Sequence, residues 1–298
     1  MKGIKKNLII IGAISMVLSV IFFLDNNWLK VQRYNINSSK LPEEFNGYKI
    51  LQLSDLHSKV FGKNNAPLLN EIRKINPDII VITGDMLNSE SDNGESFLNL
   101  AKNLNKEYKM IYYVEGNHEQ IAKLTADTEN SDWFNEYMNK LKKIGIIVLD
   151  NDKIELKKGN ESIKLYGLVL PLPYYKGKDS KSLAGEKEYQ TSDIKKSIGQ
   201  ADKEKFNILL THNPKYFPVY SSWGADLTLA GHTHGGYVRL PFVGGVFSPD
   251  NTLFPEYDAG EFENTGSKMI VSCGLGNGKI GFRIFNRPEI TVISLENS

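Results

Sequence analysis

Eight side chains in this sequence are of types that bind divalent metal ions, and they stand in similar positions. All five histidines of the 298-residue chain follow short apolar runs, and two aspartates and one asparagine accompany them. The set consists of Asp55 and His57 in "SDLHS", Asp85 in "TGDM", Asn117 and His118 in "EGNHE", His212 in "LLTHN", and His232 and His234 in "GHTHGG". Nitrogen and oxygen ligands without thiolate suit Mn, Fe or Zn ions. The residue types therefore predict a centre for divalent metal ions.

Four of these residues form two pairs whose spacing indicates how their side chains are directed toward the metal centre. Asp55 with His57, and His232 with His234, are separated by one residue. In extended backbone, residues i and i+2 point to the same side, roughly 6.6 Å apart along the strand, so each pair is expected to face one side of the centre. Glycines around the second pair allow the backbone to bend so that both imidazoles converge. Even seven ligands from this set of eight are too many for one catalytic ion and suit two ions that share a bridging ligand.

The elements that position these groups are short apolar segments that alternate with helical patterns. Helices are predicted at 66–76 and 131–145, where apolar residues recur at helical spacing. Strands are predicted at 48–54, 78–84, 110–116, 145–150, 152–157, 162–170, 206–212, 225–231, 269–274 and 289–295. The alternation favours a layered α/β domain, and the strand-rich second half indicates a second sheet packed on the first. In α/β sheets ligands bind at the carboxyl ends of strands, where all the candidate ligands fall.

The composition argues against some classes of binding partner and of metal site. There are 36 basic and 35 acidic residues, a net charge of +1, and no basic stripe, so a nucleic-acid partner is not indicated. No obligate protein partner is evident either. The single cysteine, Cys273, excludes an intramolecular disulfide and a cysteine-rich zinc site. Residues 173–200, polar and rich in Lys, are expected to form a long loop with one short helix.

The amino terminus carries an uncharged apolar stretch, Leu8 to Leu24, preceded by Lys2, Lys5 and Lys6. As a helix its 17 residues reach about 26 Å, slightly less than the roughly 30 Å of a hydrocarbon core. A cleavable signal peptide is the alternative, but no small-x-small cleavage site follows. An uncleaved single-pass anchor in the cell membrane is therefore predicted. The positive-inside rule leaves the lysines in the cytoplasm and the rest of the chain outside it.

Taken in order, the metal-binding groups resemble the calcineurin-like metallophosphoesterase superfamily. Its pattern runs D-x-H, G-D, G-N-H-[DE], a single His and G-H-x-H, and here these blocks are "DLH", "GD", "GNHE", His212 and "GHTH". The resemblance covers about residues 47–298. The tail "GLGNGKIGFRIFNRPEITVISL" and the "GHTHGG" extension look like a bacterial branch of membrane-anchored phosphodiesterases. Residues 1–25 are then the anchor, 26–46 a connector, and 47–298 a metallophosphoesterase catalytic domain.

The resemblance implies a fold, a ligand set and a mechanism. The fold is a four-layer α-β-β-α sandwich of two mixed sheets. The first ion is held by Asp55, His57, Asp85 and His234, and the second by Asp85, Asn117, His212 and His232, with Asp85 bridging. Two ions roughly 3.5–4 Å apart clamp a phosphoryl group and lower the pKa of a bound water from 15.7 toward about 7, and the resulting hydroxide attacks phosphorus. His118 faces the scissile phosphate and stabilises its oxygens or protonates the leaving group.

Several activities are consistent with this resemblance. A phosphodiesterase with two divalent ions, preferably Mn, is expected. The first alternative is a pyrophosphatase acting on a nucleotide-linked lipid such as UDP-2,3-diacylglucosamine, because some members of the branch cleave that bond. A non-catalytic metal-binding scaffold is disfavoured because no ligand is missing. A one-metal amidohydrolase is disfavoured because His-x-His comes late in the chain.

One position departs from the superfamily pattern. Many relatives have G-D-x-x-D, whose second aspartate partners the catalytic histidine, but "GDMLN" places Asn88 there. An amide can orient an imidazole but does not stabilise its cation as a carboxylate does. Either another acid substitutes, with Glu119 the nearest in sequence, or the enzyme relies less on His118.

Substrate-binding groups are predicted in two places. The aromatic, Pro- and Gly-rich segment 237–262 would supply an apolar wall beside the metals, suited to a lipid-linked leaving group. Arg239, Arg283 and Arg287 would add a phosphate clamp through bidentate hydrogen bonds.

Overall fold

The computed structural model describes residues 2–88, 92–175, 188–278 and 281–298. Its helices are α1 (Lys2–Asn27), α2 (Ala66–Ile75), α3 (Glu95–Glu107), α4 (Asn117–Thr128), α5 (Trp133–Ile144), α6 (Thr191–Ile198) and α7 (Phe217–Trp223). Its strands are β1 (Lys30–Asn37), β2 (Tyr48–Leu53), β3 (Ile79–Ile82), β4 (Ile111–Tyr113), β5 (Ile147–Val148), β6 (Asp152–Lys158), β7 (Glu161–Leu168), β8 (Asn207–Thr211), β9 (Leu227–Ala230), β10 (Arg239–Leu240), β11 (Gly244–Gly245), β12 (Gly260–Asn264), β13 (Ser267–Val271) and β14 (Glu289–Glu296). The strands and the two helices predicted from periodicity are all present. Of the predicted loop at 173–200, α6 is the short helix, and residues 176–187 lie outside the described part.

Two six-stranded mixed sheets carry the domain. The first has the order β1-β14-β2-β3-β4-β5, and β2 to β5 run parallel. The second has the order β12-β13-β9-β8-β7-β6, and β13, β9, β8 and β7 run parallel. The parallel set occupies the middle of the second sheet, and in the first it runs from the middle to the edge strand β5. The loops at the carboxyl ends of these strands carry the candidate ligands.

Three apolar cores separate four layers. One lies between the first sheet and α2 to α5, where the helical spacing of Leu68, Leu69 and Ile72 buries a single face of α2. A second lies between the two sheets, with Ile50 and Ile208 contributing from opposite sides. A third lies between the second sheet and α6 and α7. The predicted four-layer α-β-β-α sandwich is confirmed.

The segment 26–46, expected to be a connector, contains part of the first sheet. Strand β1 pairs in parallel with β14 along its whole length, from Lys30 opposite Glu289 to Asn37 opposite Glu296. The expected boundary at residue 47 is therefore corrected, since β1 already belongs to the folded domain. Because β1 is an edge strand and only partly covered, most of its side chains are polar, and the segment lacks the apolar run of a buried strand.

Helix α1 is the one described helix that is long and apolar enough to cross a membrane by length and composition. The qualifying stretch, Ile9–Asn27, has a mean hydropathy of 2.2 and is 11% buried by the rest of the chain. Its apolar side chains are exposed on all sides, as in Ile11, Met16 and Phe23. The helix therefore does not serve as a core helix of the domain.

Candidate metal centre

The two sheets bring every predicted metal ligand to one place. Asp55 and His57 follow β2, Asp85 follows β3, Asn117 and His118 begin α4 after β4, His212 follows β8, and His232 and His234 follow β9. The first five come from the first sheet and the last three from the second. The carboxyl ends of the central strands face one another across the sandwich. The eight side chains therefore gather in one cluster, which we call the cup, although they lie up to 179 residues apart in sequence (from Asp55 to His234).

One side of the cup is formed by Asp55, His57 and His234. The Nε2 atoms of the two histidines lie 3.0 Å apart, and His234 Nε2 lies 3.4 Å from Asp55 Oδ1. All three side chains are buried. Metal–nitrogen bonds of about 2.0–2.1 Å place neighbouring ligands of one ion roughly 3 Å apart, which these separations match.

The other side is formed by Asp85, His212 and His232. His212 Nε2 lies 3.0 Å from Asp85 Oδ2, and the His212 and His232 rings are 5.1 Å apart between centroids. His212 Nδ1 lies 2.6 Å from the carbonyl oxygen of Thr83. Donation of Nδ1–H to that oxygen leaves the lone pair of Nε2 directed into the cup, the usual arrangement of a metal-binding histidine.

Asp85 joins the two sides. Its Oδ2 lies 3.9 Å from His57 Nε2 as well as 3.0 Å from His212 Nε2. The donor set also fits cations because buried ligand atoms lack other partners: Asn117 Oδ1 and His232 Nε2 make no hydrogen bond within the described residues. A buried polar atom without a partner is costly unless a ligand satisfies it. The residues therefore fit two divalent ions that share Asp85.

The backbone that presents these ligands is left-handed, which corrects the expectation of extended pairs. Asp55, His57, Asp85, His232 and His234 have φ values of 52°, 46°, 54°, 73° and 54°. The two side chains of each pair converge because the chain curls immediately after the strand, not because alternate residues of a strand share a face. Such conformations cost free energy in a non-glycine residue and persist where the surrounding fold holds them, commonly at functional sites.

Two glycines are required by close contact with the ligands. A Cβ on Gly231 would overlap Asp55 Oδ2 and Ser54 Oγ, and a Cβ on Gly116 would overlap Asp85 Oδ1. Gly231 was expected to provide backbone freedom, but its role is to leave space for the carboxylate. The positive φ is instead at Gly235 and Gly236, at 70° and 69°.

Glu119 holds the loops of the first sheet and does not take the place of the missing aspartate. Its carboxylate is buried and accepts hydrogen bonds from the backbone N–H groups of Asp85 and Gly116 at 2.9 Å, of Met86 at 2.7 Å and of Leu87 at 3.2 Å. Both oxygens are thus used in fixing the ligand loop after β3 to the start of α4. The expectation that Glu119 substitutes as a partner of His118 is not supported.

We expect the Glu119→Gln variant to lose both stability and metal affinity. The amide would place N–H donors against backbone N–H groups, which should lower the free energy of unfolding by about 1–3 kcal/mol. Because the ligand loop then loosens, the Kd for Mn²⁺ should rise about 10- to 100-fold, the usual cost of losing an outer-shell partner. Chemical denaturation and calorimetric Mn²⁺ titration measure the two effects. The exposed Glu129→Gln is the matched control, and equal behaviour of the two variants would contradict this role.

Asn88 does not orient the histidine either. Its Nδ2 donates a hydrogen bond of 3.0 Å to the carbonyl oxygen of His57. His118 instead lies near the bridging carboxylate: its Nε2 is 4.0 Å from Asp85 Oδ2, and its backbone N–H donates to Asp85 Oδ1 at 2.8 Å. The side chain of His118 is 19% exposed, whereas those of His57 and Asp85 are 3% and 2% exposed. Of the five histidines, His118 is the one that is partly exposed, whereas the other four are buried.

Burial and mutual repulsion set the protonation of the cup without ions. Burial raises the pKa of Asp55 to about 6. The attraction of His212 lowers this pKa, whereas the negative charge of Asp85 raises it. Burial lowers the pKa of His57 to about 3 and that of His232 to about 4, so these imidazoles are neutral and able to bind a cation. Burial also lowers the pKa of His212, but the carboxylates of Asp85 and Asp55 outweigh it and raise that pKa to about 9.

Metal affinity is therefore expected to increase with pH between about 6 and 9. At neutral pH the metal-free cup keeps His212 protonated, since its pKa is raised to about 9, and a cation must displace that proton. Each unit of pH below 9 then weakens binding by up to about tenfold, and protonation of Asp55 near pH 6 weakens it further. Calorimetry of Mn²⁺ binding in buffers of different ionisation enthalpy should count about one released proton per chain at pH 7. A Kd that is constant from pH 6 to 9 would contradict the prediction.

The three arginines predicted to clamp phosphate are engaged elsewhere. Arg283 is fully buried and donates hydrogen bonds to the carbonyl oxygens of Gly276 and Cys273, and its guanidinium lies 3.4 Å from His234 Nδ1. Arg239 forms an ion pair of 2.9 Å with Asp258. Arg287 lies over the Trp28 ring. The predicted phosphate clamp is therefore wrong. Arg283 supports the loop that carries His234, and Arg239 and Arg287 contact neighbouring segments.

Two tyrosines next to the ligands were not predicted. Tyr175 is buried, its ring lies 5.1 Å from that of His232, and its hydroxyl has no hydrogen-bond partner in the part of the chain that the structure describes. The Tyr237 ring stacks on His234 at 5.6 Å. Tyr237 is one residue by which segment 237–262 reaches the centre. Leu240, Phe242 and Val243 of that segment are exposed instead of forming the expected apolar wall.

Comparisons with known proteins find similar sequences among metallophosphoesterases. The sequence profile of the family described as calcineurin-like phosphoesterase matches residues 48–236. An uncharacterized metallophosphoesterase of Bacillus subtilis, YkuE, is 28% identical over 93% of this chain and 88% of its own length. One from Aquifex aeolicus is 28% identical over 95% and 98%. A "transmembrane protein with metallophosphoesterase domain" of Danio rerio is 28% identical over 90% of this chain and 58% of that protein. Among solved structures, a dimetal phosphatase from Danio rerio has a TM-score of 0.42 and 12% identity, covering 77% of this chain and 88% of that one.

Proposed function

The chain belongs to the calcineurin-like phosphoesterase family, and from this membership we propose that it is a phosphodiesterase that uses two divalent metal ions. The family assignment itself supports a metal-dependent hydrolase of phosphoric esters. The observation that carries the proposal of two ions is the position of Asp85, whose carboxylate lies between the Asp55, His57 and His234 group and the His212 and His232 group. Every ligand offers nitrogen or oxygen, a donor set that suits Mn, Fe or Zn, and of these we propose Mn²⁺.

The residues of the cup would have different roles in such a reaction. Divalent ions at these ligands would polarise the phosphoryl group and activate the attacking water. The buried ligands exclude bulk solvent from one side of the centre. His118 approaches from the more exposed side, where a substrate enters, and is placed to donate a proton to the leaving oxygen. The Tyr175 ring lies beside that of His232, and its hydroxyl, which has no hydrogen-bond partner among the described residues, can donate to a phosphoryl oxygen.

A combined metal and substrate measurement tests this function. Elemental analysis of the purified protein should find about two divalent ions per chain, and added Mn²⁺ should support turnover. A panel of a monoester, bis-p-nitrophenyl phosphate and a nucleoside diphosphate ester separates the activities. Preferred cleavage of the diester supports the proposal, and preferred cleavage of the pyrophosphate bond supports the alternative pyrophosphatase. Protein that binds metal but cleaves none of them would favour a scaffold.

We also propose that helix α1 anchors the chain in the cell membrane as a single span. Its length and hydropathy support a span, and the absence of a small-x-small site after it argues against cleavage. The lysines at its amino-terminal end favour a catalytic domain outside the cytoplasm by the positive-inside rule. Protease accessibility of the domain in intact and broken cells tests the sidedness. Recovery of the chain in the soluble fraction after expression would contradict the anchor.

A further inference from the structure

Seven large apolar side chains are exposed around the segments that lead from the metal centre to helix α1. We call this set the apolar rim. Its members are Leu240, Phe242, Val243, Leu253, Phe254, Phe282 and Phe285. Single exposed apolar residues are common on soluble proteins, but a group of this size marks a contact with a protein or a membrane.

The tip of the β10–β11 hairpin is the most exposed part of the rim. Leu240 pairs with Gly244, so Pro241, Phe242 and Val243 form the connection between the strands. Phe242 is fully exposed and has a φ of 65°, a conformation that glycine or asparagine adopts far more readily. A bulky aromatic residue at this position gains no contact from the fold. Its presence is explained by a contact outside the domain.

The rim lies beside the carboxyl end of α1. Arg239 N–H donates to the Ile284 carbonyl at 3.1 Å, which joins the hairpin to the segment of Phe282 and Phe285. That segment contacts the helix at both phenylalanines. The Phe282 ring lies 6.1 Å from the Phe22 ring, and the Phe285 N–H donates to Asp25 Oδ2 at 2.6 Å.

Buried polar contacts fix the helix end to the domain. Asn26 Nδ2 donates to the Arg283 carbonyl at 3.0 Å, and Asn26 Oδ1 accepts the Arg283 N–H at 2.9 Å. Lys59, two residues after His57, donates to the Asn26 carbonyl. Asp25 and Asn26 are themselves buried. The helix direction therefore determines which face of the domain is turned toward the bilayer that the helix crosses.

The position of the headgroup layer is indicated by the residues just after the helix. Trp28 is exposed, and the Arg287 guanidinium lies 4.4 Å above its ring. An aromatic ring paired with a basic group at the end of a span is typical of the membrane–water interface. This interface thus passes close to the rim.

We propose that the apolar rim inserts into the interfacial layer of the bilayer that α1 spans and holds the metal centre at the membrane surface. The partner is the lipid bilayer itself, and continuity of the rim with the anchor is the argument for it. Tyr237 connects the two regions, because its carbonyl accepts the Ile284 N–H at 3.1 Å and its ring stacks on His234. The inference rests on the proposed anchor and is independent of the proposed hydrolase activity.

Depth measurement in the full-length protein tests this contact. Phe242→Cys is labelled with the fluorophore NBD and reconstituted into phosphatidylcholine–phosphatidylglycerol vesicles that carry nitroxide lipids. Cys273 is buried and stays unlabelled, as the unmodified protein will verify. Met110→Cys is the matched control, because Met110 is exposed but precedes β4, at the edge of the sheet away from the metal centre. Since Phe242 packs against nothing, its replacement leaves the fold unchanged.

We expect acyl-chain nitroxides to quench the probe at 242 about fivefold more strongly than the probe at 110, since interfacial groups reach about 5–10 Å below the headgroups. Quenching of both probes by aqueous iodide, with no difference between nitroxide lipids, would overturn the inference. A probe at 242 shielded from iodide and nitroxide alike would indicate a protein or a second copy on the rim and would also overturn it. Flotation of the same vesicles reports on the anchor separately, so its failure is distinguishable.

Discussion

The Asp85→Asn variant is expected to lose at least about 10³-fold in kcat/KM and to bind less than two metal ions per chain. Removing a single hydrogen bond to a developing charge costs about 10²–10³-fold in kcat. A bridging ligand should matter more than one such hydrogen bond, because Asp85 Oδ2 lies 3.9 Å from His57 Nε2 on one side of the cup and 3.0 Å from His212 Nε2 on the other. Loss of its charge therefore weakens both sides of the cup at once.

The substitution keeps the shape of the site, which makes the result interpretable. The asparagine oxygen can still accept the His118 N–H that now bonds to Asp85 Oδ1. Elemental analysis after gel filtration gives the metal content, and hydrolysis of bis-p-nitrophenyl phosphate with added Mn²⁺ gives kcat/KM. The exposed Asp127→Asn on α4 removes the same charge elsewhere and should leave both quantities unchanged. Full metal content together with near-normal turnover in Asp85→Asn would refute the bridging role.

The ligands could be found from the sequence because of how parallel sheets are built. Each ligand directly follows a buried strand, and the carboxyl ends of parallel strands lie on one edge of a sheet. The contact between the two sheets could not be found from local patterns alone. The backbone N–H of His232 donates to Asp55 Oδ1 at 3.1 Å, although 177 residues separate them. Which strand end faces which depends on the order of strands in both sheets, a property of the assembled fold.

The errors have equally specific causes. The left-handed backbone at Asp55 and His57 was missed because alternation along a strand was extended beyond the end of that strand. Arg283 was predicted to bind phosphate, since arginine is almost never fully buried without a partner. Its partners are backbone carbonyls of a glycine-rich turn, which side-chain patterns do not report. The role of Glu119 was missed for the same reason, because its four partners are all backbone N–H groups.

The second large effect is expected at His118, where the Ala variant should lose about 10²–10⁴-fold in kcat, the usual contribution of a general acid or base. Its metal content should stay intact, although His118 lies close enough to His57 and Asp85 to be considered a third ligand group. Retention of 19% of its exposed surface argues that it faces the substrate. In contrast, His232→Ala should lose about one ion, because the buried Nε2 of His232 has no hydrogen-bond partner in the described part of the chain and is left to bind a cation.

The leaving group distinguishes proton donation from electrostatic stabilisation by His118. A p-nitrophenolate leaves without protonation, whereas an alkoxide requires a proton. If His118 is the general acid, His118→Ala should impair cleavage of an alkyl diester much more than that of bis-p-nitrophenyl phosphate. Equal losses on both substrates would indicate stabilisation of the phosphoryl oxygens instead. Loss of metal in parallel with activity would make His118 a ligand, and the assignment of its role would then be wrong.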